Sequence, residues 1–139
     1  MTPPADKFVS EAASGLRPRA ILVFDPDVAS LNFLAMAFRR RGYEPLPAAS
    51  LEEANVVLET SPVTLAICRL RATHIEGSTV LAMLKARDGV RAIAIRPGPE
   101  VEARGADLSF VAPVPIIVLI RAIEQLTVPA PRALRTKPT

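Results

Sequence analysis

The chain is predicted to fold as one α/β domain, a five-stranded parallel sheet wound on both faces by helices. Three observations predict it. Ala20–Phe24 and Val63–Cys68 are unbroken apolar runs, the pattern of strands buried on both faces. Segments with apolar residues at helical spacing alternate with these runs, which implies crossover connections and a parallel sheet. The length of 139 residues, half of them apolar and 4% aromatic, suits a single core of Ala, Val, Leu and Ile.

The elements follow in order. Residues 1–18 are Pro- and Ala-rich with little periodicity and read as an N-terminal extension, with a helical turn expected around Phe8–Ala13. Strand one, Ala20–Phe24, ends on Asp25, Pro26 and Asp27, a turn and helix-start signal. Leu31, Leu34 and Phe38 then share one helical face, with Arg39, Arg40 and Arg41 in the last turn and Gly42 as the stop. Tyr43–Ala48 is a short strand that Pro45 and Pro47 confine to an edge. Ser50 and Glu53 form a capping box that opens a second helix through Leu58.

Val63–Cys68 is the third strand. A third helix follows Gly77, with Val80, Leu81 and Leu84 on one face and Lys85 and Arg87 on the other. Ala92–Ile95 and Leu108–Val111 are strands four and five. Only 12 residues separate Ile95 from Leu108, and they open with Pro97, Gly98, Pro99. About 10–12 residues is the minimum for a crossover that contains its helix, so the fourth helix is expected to be shortened or missing. The last helix starts after Pro113 and Pro115 and runs to about Leu126. Pro129 and Pro131 stop any continuation, and 127–139 is expected to be a disordered tail. The domain therefore spans 19–126, with flavodoxin-like strand order 2-1-3-4-5 and any site at the carboxyl ends of strands one and three.

Composition excludes several classes. The net charge of +3 comes from the ends, since 11 Lys/Arg face 12 Asp/Glu between Ala20 and Leu126. There is no Trp, one Tyr and no basic patch interleaved with aromatics, so direct nucleic-acid binding is not expected. No apolar run approaches the roughly 18–20 residues of a membrane span, and Met1–Asp6 does not open a secretory signal. A single cysteine, Cys68, excludes an internal disulfide, and a cytoplasmic location is the default. His74, the one histidine, reads as an exposed loop residue; no metal-ligand spacing, Ser-His-Asp set or phosphate-binding glycine loop is present, so no cofactor and no enzymatic activity are expected.

From Arg19 to Leu126 the chain resembles response-regulator receiver domains (the CheY-like fold). Leu65-Ala66-Ile67-Cys68-Arg69 through Ile75-Glu76-Gly77 is similar, without a gap, to the third strand and following loop of that family. Ile21-Leu22-Val23-Phe24-Asp25 looks like its first strand, Gly42-Tyr43-Glu44 and Ala48–Ala54 like the stretch between its first two helices, and Gly105-Ala106-Asp107 like the approach to strand five. The resemblance implies where a phosphorylation pocket would lie and shows it degenerate. Arg69 stands at the acceptor aspartate. Asp25 keeps the first metal-binding acid, Pro26 replaces the second, and Asp27 offers a carboxylate one step later. Arg96 replaces the hydroxyl residue, Ala112 the lysine before Pro113, and Ser109 the switch aromatic. A guanidinium cannot accept a phosphoryl group, and phosphoryl transfer also needs a cation-binding oxygen set.

The expectation is a pseudo-receiver in two-component (phosphorelay) signalling that acts by phosphorylation-independent protein–protein interaction. Arg69 and Arg96 are expected beside Asp25, with Asp27 and Glu76 joining an ion network and Arg71 solvated. Loss of Arg69 is then expected to leave acids facing one another, at a cost of a few kcal/mol. The alternative is an anion or small-ligand sensor in which Arg69 and Arg96 line the pocket; use of Asp25 or Asp27 as an unusual phosphoryl acceptor is a further alternative. On the last helix Ile116, Leu119, Ile120, Ile123 and Leu126 form the core face, while Ile117 and Val118 fall outside it toward Arg121. That surface is the expected interface with a protein partner: a histidine kinase, another regulator or a second copy in a homodimer. No output domain is expected after Leu126.

Overall fold

The computed structural model describes residues 19–73 and 75–127. The turn expected near Phe8, His74 and the tail from 128 lie outside the described residues. Five strands, β1 (Ala20–Phe24), β2 (Glu44–Ala48), β3 (Leu65–Arg69), β4 (Arg91–Arg96) and β5 (Leu108–Val111), form one parallel sheet in the order β2-β1-β3-β4-β5. Four helices connect or follow them: α1 (Val28–Arg40), α2 (Leu51–Thr60), α3 (Glu76–Lys85) and α4 (Ile116–Thr127). The fold class and strand order are those expected from the sequence.

Strand alternation divides the core into two layers. Ile21, Val23, Leu65, Ile67, Ile93 and Ile95 pack toward α1 and α4, against Leu31, Leu34, Phe38, Leu119 and Ile123. Leu22, Phe24, Ala66, Cys68, Ala92 and Ala94 pack the other way, against Ala54 and Leu58 of α2 and Val80, Leu81 and Leu84 of α3. Small residues on this second face let its helices approach the sheet closely. Gly77 marks the closest approach: a Cβ there would stand 2.6 Å from Leu70 Cδ2, so α3 begins directly on the end of β3.

Helix starts follow local chemistry. Asp27 caps α1, its side chain accepting from the backbone N–H groups of Ala29 and Ser30. The Ser50 hydroxyl accepts from Glu53 N, while Glu53 Oε1 accepts from Ala49 N at 2.7 Å, one residue earlier than the ideal capping box. β2 is an edge strand, and prolines at 45 and 47 are tolerated there because the edge needs fewer donors. Between β4 and β5 the described backbone contains no helix. Val101, Ala103 and Ala106 from this loop cover part of the α2–α3 face instead. Gly105 turns the chain at a φ of 95°, 3.1 Å from Leu81 O as measured from an added Cβ, so side chains are disfavoured there twice over.

Candidate functional site: an arginine clamp at the strand ends

The site is built by parity. Asp25 follows β1 one residue after Phe24, so its side chain takes the α1 side of the sheet, as Ile21 and Val23 do. Arg69 follows Leu65 and Ile67 on the same side of β3, and Arg71 lies two residues further on. The three meet at the carboxyl ends of the two central strands. Asp25 is completely buried, the one polar or charged residue so classed among those described. An isolated buried carboxylate is costly, so its partners define the site.

Arg71 grips it with a fork. Its Nε lies 3.2 Å from Oδ1, and its Nη2 lies 3.0 Å from Oδ1 and 3.1 Å from Oδ2. The backbone N–H of Asp27 donates to Oδ1 at 3.0 Å. Arg69 Nε stands 3.1 Å from Oδ2, but its N–H is not directed at that oxygen, so the contact is ionic rather than a hydrogen bond. Asp27 is the outer member, its Oδ2 3.8 Å from Arg71 Nη2 and its side chain 53% exposed. Burial depresses the pKa of Arg69, ahead of the opposing attraction of Asp25; the neighbouring charge of Arg71 lowers it further.

Three expectations are corrected here. Arg71, expected in solvent, is the principal partner of Asp25. Arg96 does not reach Asp25. The register pairs Arg69 with Ile95, so Arg96 is the next residue on β4 and turns, with Ala92 and Ala94, to the opposite face. Its Nη1 there approaches the carbonyls of Pro99 at 3.4 Å and Val101 at 3.3 Å and holds the helix-free connection against the sheet. Glu76 opens α3 half-buried and makes no ion pair within 4.0 Å among the described residues. The expected result of deleting Arg69 changes accordingly: acids would not be left facing each other, because Arg71 keeps its fork on Asp25. The signal for Arg71 was present in the sequence as its even spacing from Arg69.

Pro26 follows Asp25 in the turn and supplies no ligand. Ala112 continues the α1-side parity of Leu108 and Phe110 and packs against that core, so a methyl group stands where the resemblance places a lysine. Cys68, beneath the clamp, has its thiol pKa pushed up to about 12, first by burial and then by Asp25. Its Sγ donates to Gly77 O at 3.5 Å, and it is a core residue rather than a nucleophile.

A divalent cation of the kind receiver domains hold does not fit these residues. Both Asp25 oxygens face guanidinium nitrogens, and no group of three or more His, Cys, Asp or Glu among the described residues could hold a metal. No described helix is long and apolar enough to cross a membrane. The arrangement can hold a buried carboxylate fixed and can present cationic donors at the sheet edge.

The fold and this edge define a class: a five-stranded CheY-like flavodoxin fold whose strand-end cleft carries arginines. Response-regulator receiver domains are among the solved structures similar to it. A receiver domain protein from Methanospirillum hungatei is 26% identical, with a TM-score of 0.70 over 78% of this chain and 93% of that one. A receiver protein from Pseudomonas putida is 22% identical, with a TM-score of 0.69 over 80% and 98%. A response regulator from Thermotoga maritima, solved in complex with magnesium and BeF, is 20% identical, with a TM-score of 0.68 over 78% and 98%. No family model matches the chain, and no curated protein sequence does.

Proposed function

We propose that this protein is a receiver-fold interaction module of two-component signalling that is not switched by aspartyl phosphate. The structural neighbours support the signalling role. The observation that carries the rest is the double guanidinium contact on Asp25, at the point where a receiver would need a carboxylate nucleophile and a metal. The clamp replaces a cation that comes and goes with two that are covalently part of the chain. A switch needs two states of comparable free energy that a ligand can bias. Here Arg71 stabilises one arrangement permanently, and the module signals by being present and bound.

The experiment is direct. Incubation with acetyl phosphate and magnesium, followed by intact-mass measurement, is expected to show unmodified protein. Addition of a phosphoryl mass, on Asp25, Asp27 or elsewhere, would end the proposal.

The contact surface lies on α4. Leu119, Ile120, Ala122 and Ile123 are buried, whereas Ile117 is 45% exposed, Val118 half-buried and Arg121 exposed. An exposed branched apolar residue beside a cation extends the greasy stripe beyond what the domain's own core uses. The partner is a histidine kinase, another regulator or a second copy, and a homodimer is the simplest form. Ile117→Asp with Val118→Asp is expected to lower the self-associated fraction in sedimentation velocity by about tenfold or more in association constant, since a charge would be buried in an apolar contact. Unchanged mass and unchanged partner capture would remove α4 from the proposal.

A further inference from the structure

Arg69 has five N–H donors, and among the described residues none makes a directed hydrogen bond. Its Nε is buried beside Asp25 Oδ2 without pointing at it. Its two Nη groups are the polar part that reaches solvent, and the side chain as a whole is 19% exposed. The single fully buried negative charge nearby is already satisfied by the Arg71 fork and the Asp27 N–H. Asp27, the next carboxylate, directs Oδ1 to the start of α1 and sets Oδ2 3.8 Å from Arg71 Nη2. Two partly buried cations thus share one buried anion. A planar fork held in place with free donors matches the two oxygens of a phosphate or carboxylate.

We propose that the Nη edge of Arg69, at the carboxyl ends of β1 and β3, is a binding site for an oxyanion, either free phosphate or a carboxylate of the same geometry. The cleft that holds a cation in receivers takes an anion here, because two guanidinium groups balance its two carboxylates and Arg69 still has uncommitted donors. Arg96, which uses Nη1 on the loop carbonyls of the opposite face, is not required. This inference goes beyond the interaction module and shares with it only the clamp: phosphate binding can fail while resistance to acetyl phosphate stands, and the reverse.

The test titrates the protein with inorganic phosphate, acetate and chloride at constant ionic strength. Binding is followed through the Arg69 Nε–H resonance and by thermal unfolding. Saturable phosphate or acetate binding with a Kd on the order of 1 mM or tighter is expected, with no saturation by chloride. Saturation by phosphate assigns the site to phosphate or phosphorylated small molecules; saturation by acetate alone assigns it to a carboxylate. Arg69→Gln, which has no Nε–H and is read by thermal unfolding, is expected to abolish the stabilisation by oxyanion, and Arg104→Gln, at an exposed arginine paired with Glu102, to leave both readouts intact. Arg69→Lys keeps the charge without the fork and is expected to bind about tenfold more weakly, which preserves the test if the Gln variant does not fold. Asp27→Asn, which retains a good helix cap, is expected to tighten binding. Absence of saturation by both oxyanions, or an undiminished response in the Arg69 variants, overturns the proposal.

Discussion

Asp25→Ala is expected to lower the unfolding free energy by about 3 kcal/mol, the low end of the range for removing one member of a buried ion pair. The low end applies because the two guanidinium groups left behind are 19% and 31% exposed and can recover part of their hydration. The wild-type carboxylate receives the Arg71 fork, the Asp27 N–H and the charge of Arg69, and its deletion leaves two cations in one cleft with no buried anion between them. Urea denaturation at neutral pH measures the loss, with an unchanged m-value showing that the native fold is retained. For a domain of about 100 residues, 3 kcal/mol corresponds to a fall in Tm of roughly 12–24 °C. A loss below about 1 kcal/mol would mean that Asp25 is not held as described.

Arg71→Met should cost more than Arg69→Met, about 2 kcal/mol against about 1 kcal/mol or less. Arg71 supplies every directed side-chain hydrogen bond to Asp25, so without it a fully buried carboxylate keeps one backbone donor and one misaligned cation. Arg69 contributes charge without direction and suffers desolvation itself, so its removal also relieves a cost. The double variant should lose more than the sum of the two, because only then does Asp25 have no cation at all. A reversed ranking, with Arg69→Met the more damaging, would show that Arg69 carries the clamp. The predicted ranking also bears on the anion site: a residue that contributes little to stability is free to be occupied with a ligand.

Much of the fold was legible because it rests on patterns that tolerate small errors. Ala20–Phe24 reads as a buried strand whichever neighbour it pairs with, and Pro45 and Pro47 place β2 at an edge without knowledge of the register. Helix limits shifted by a residue or two, as at Glu76–Lys85 and Ile116–Thr127, because end turns depend on caps and on packing beyond the local sequence. The short connection before β5 was readable from its length alone.

The position of the site residues at the strand ends is legible in the sequence, whereas their partners are not. That Arg69 ends the third strand, Asp25 follows the first and Ala112 follows the fifth are matters of residue type and position. Which arginine would hold Asp25 depended on side-chain direction. Arg96 looked close because β3 and β4 end together, yet one residue of offset in a strand reverses the face, and it turned to the loop at Pro99 and Val101. Arg71 looked solvated because it lies past the strand end, yet its even spacing from Arg69 keeps it on the side of Asp25.

By itself the sequence determined that this is a doubly wound parallel α/β domain with an arginine at the end of its third strand, since apolar runs, turn residues and the identity of one residue suffice for that. Only the tertiary structure decided that Arg71 forks Asp25 while Arg69 keeps free donors and Arg96 faces away. The reason is geometric: hydrogen bonds are settled by differences of about 0.5 Å and by bond angle, and those are fixed only when strand register and pleat bring separate segments together.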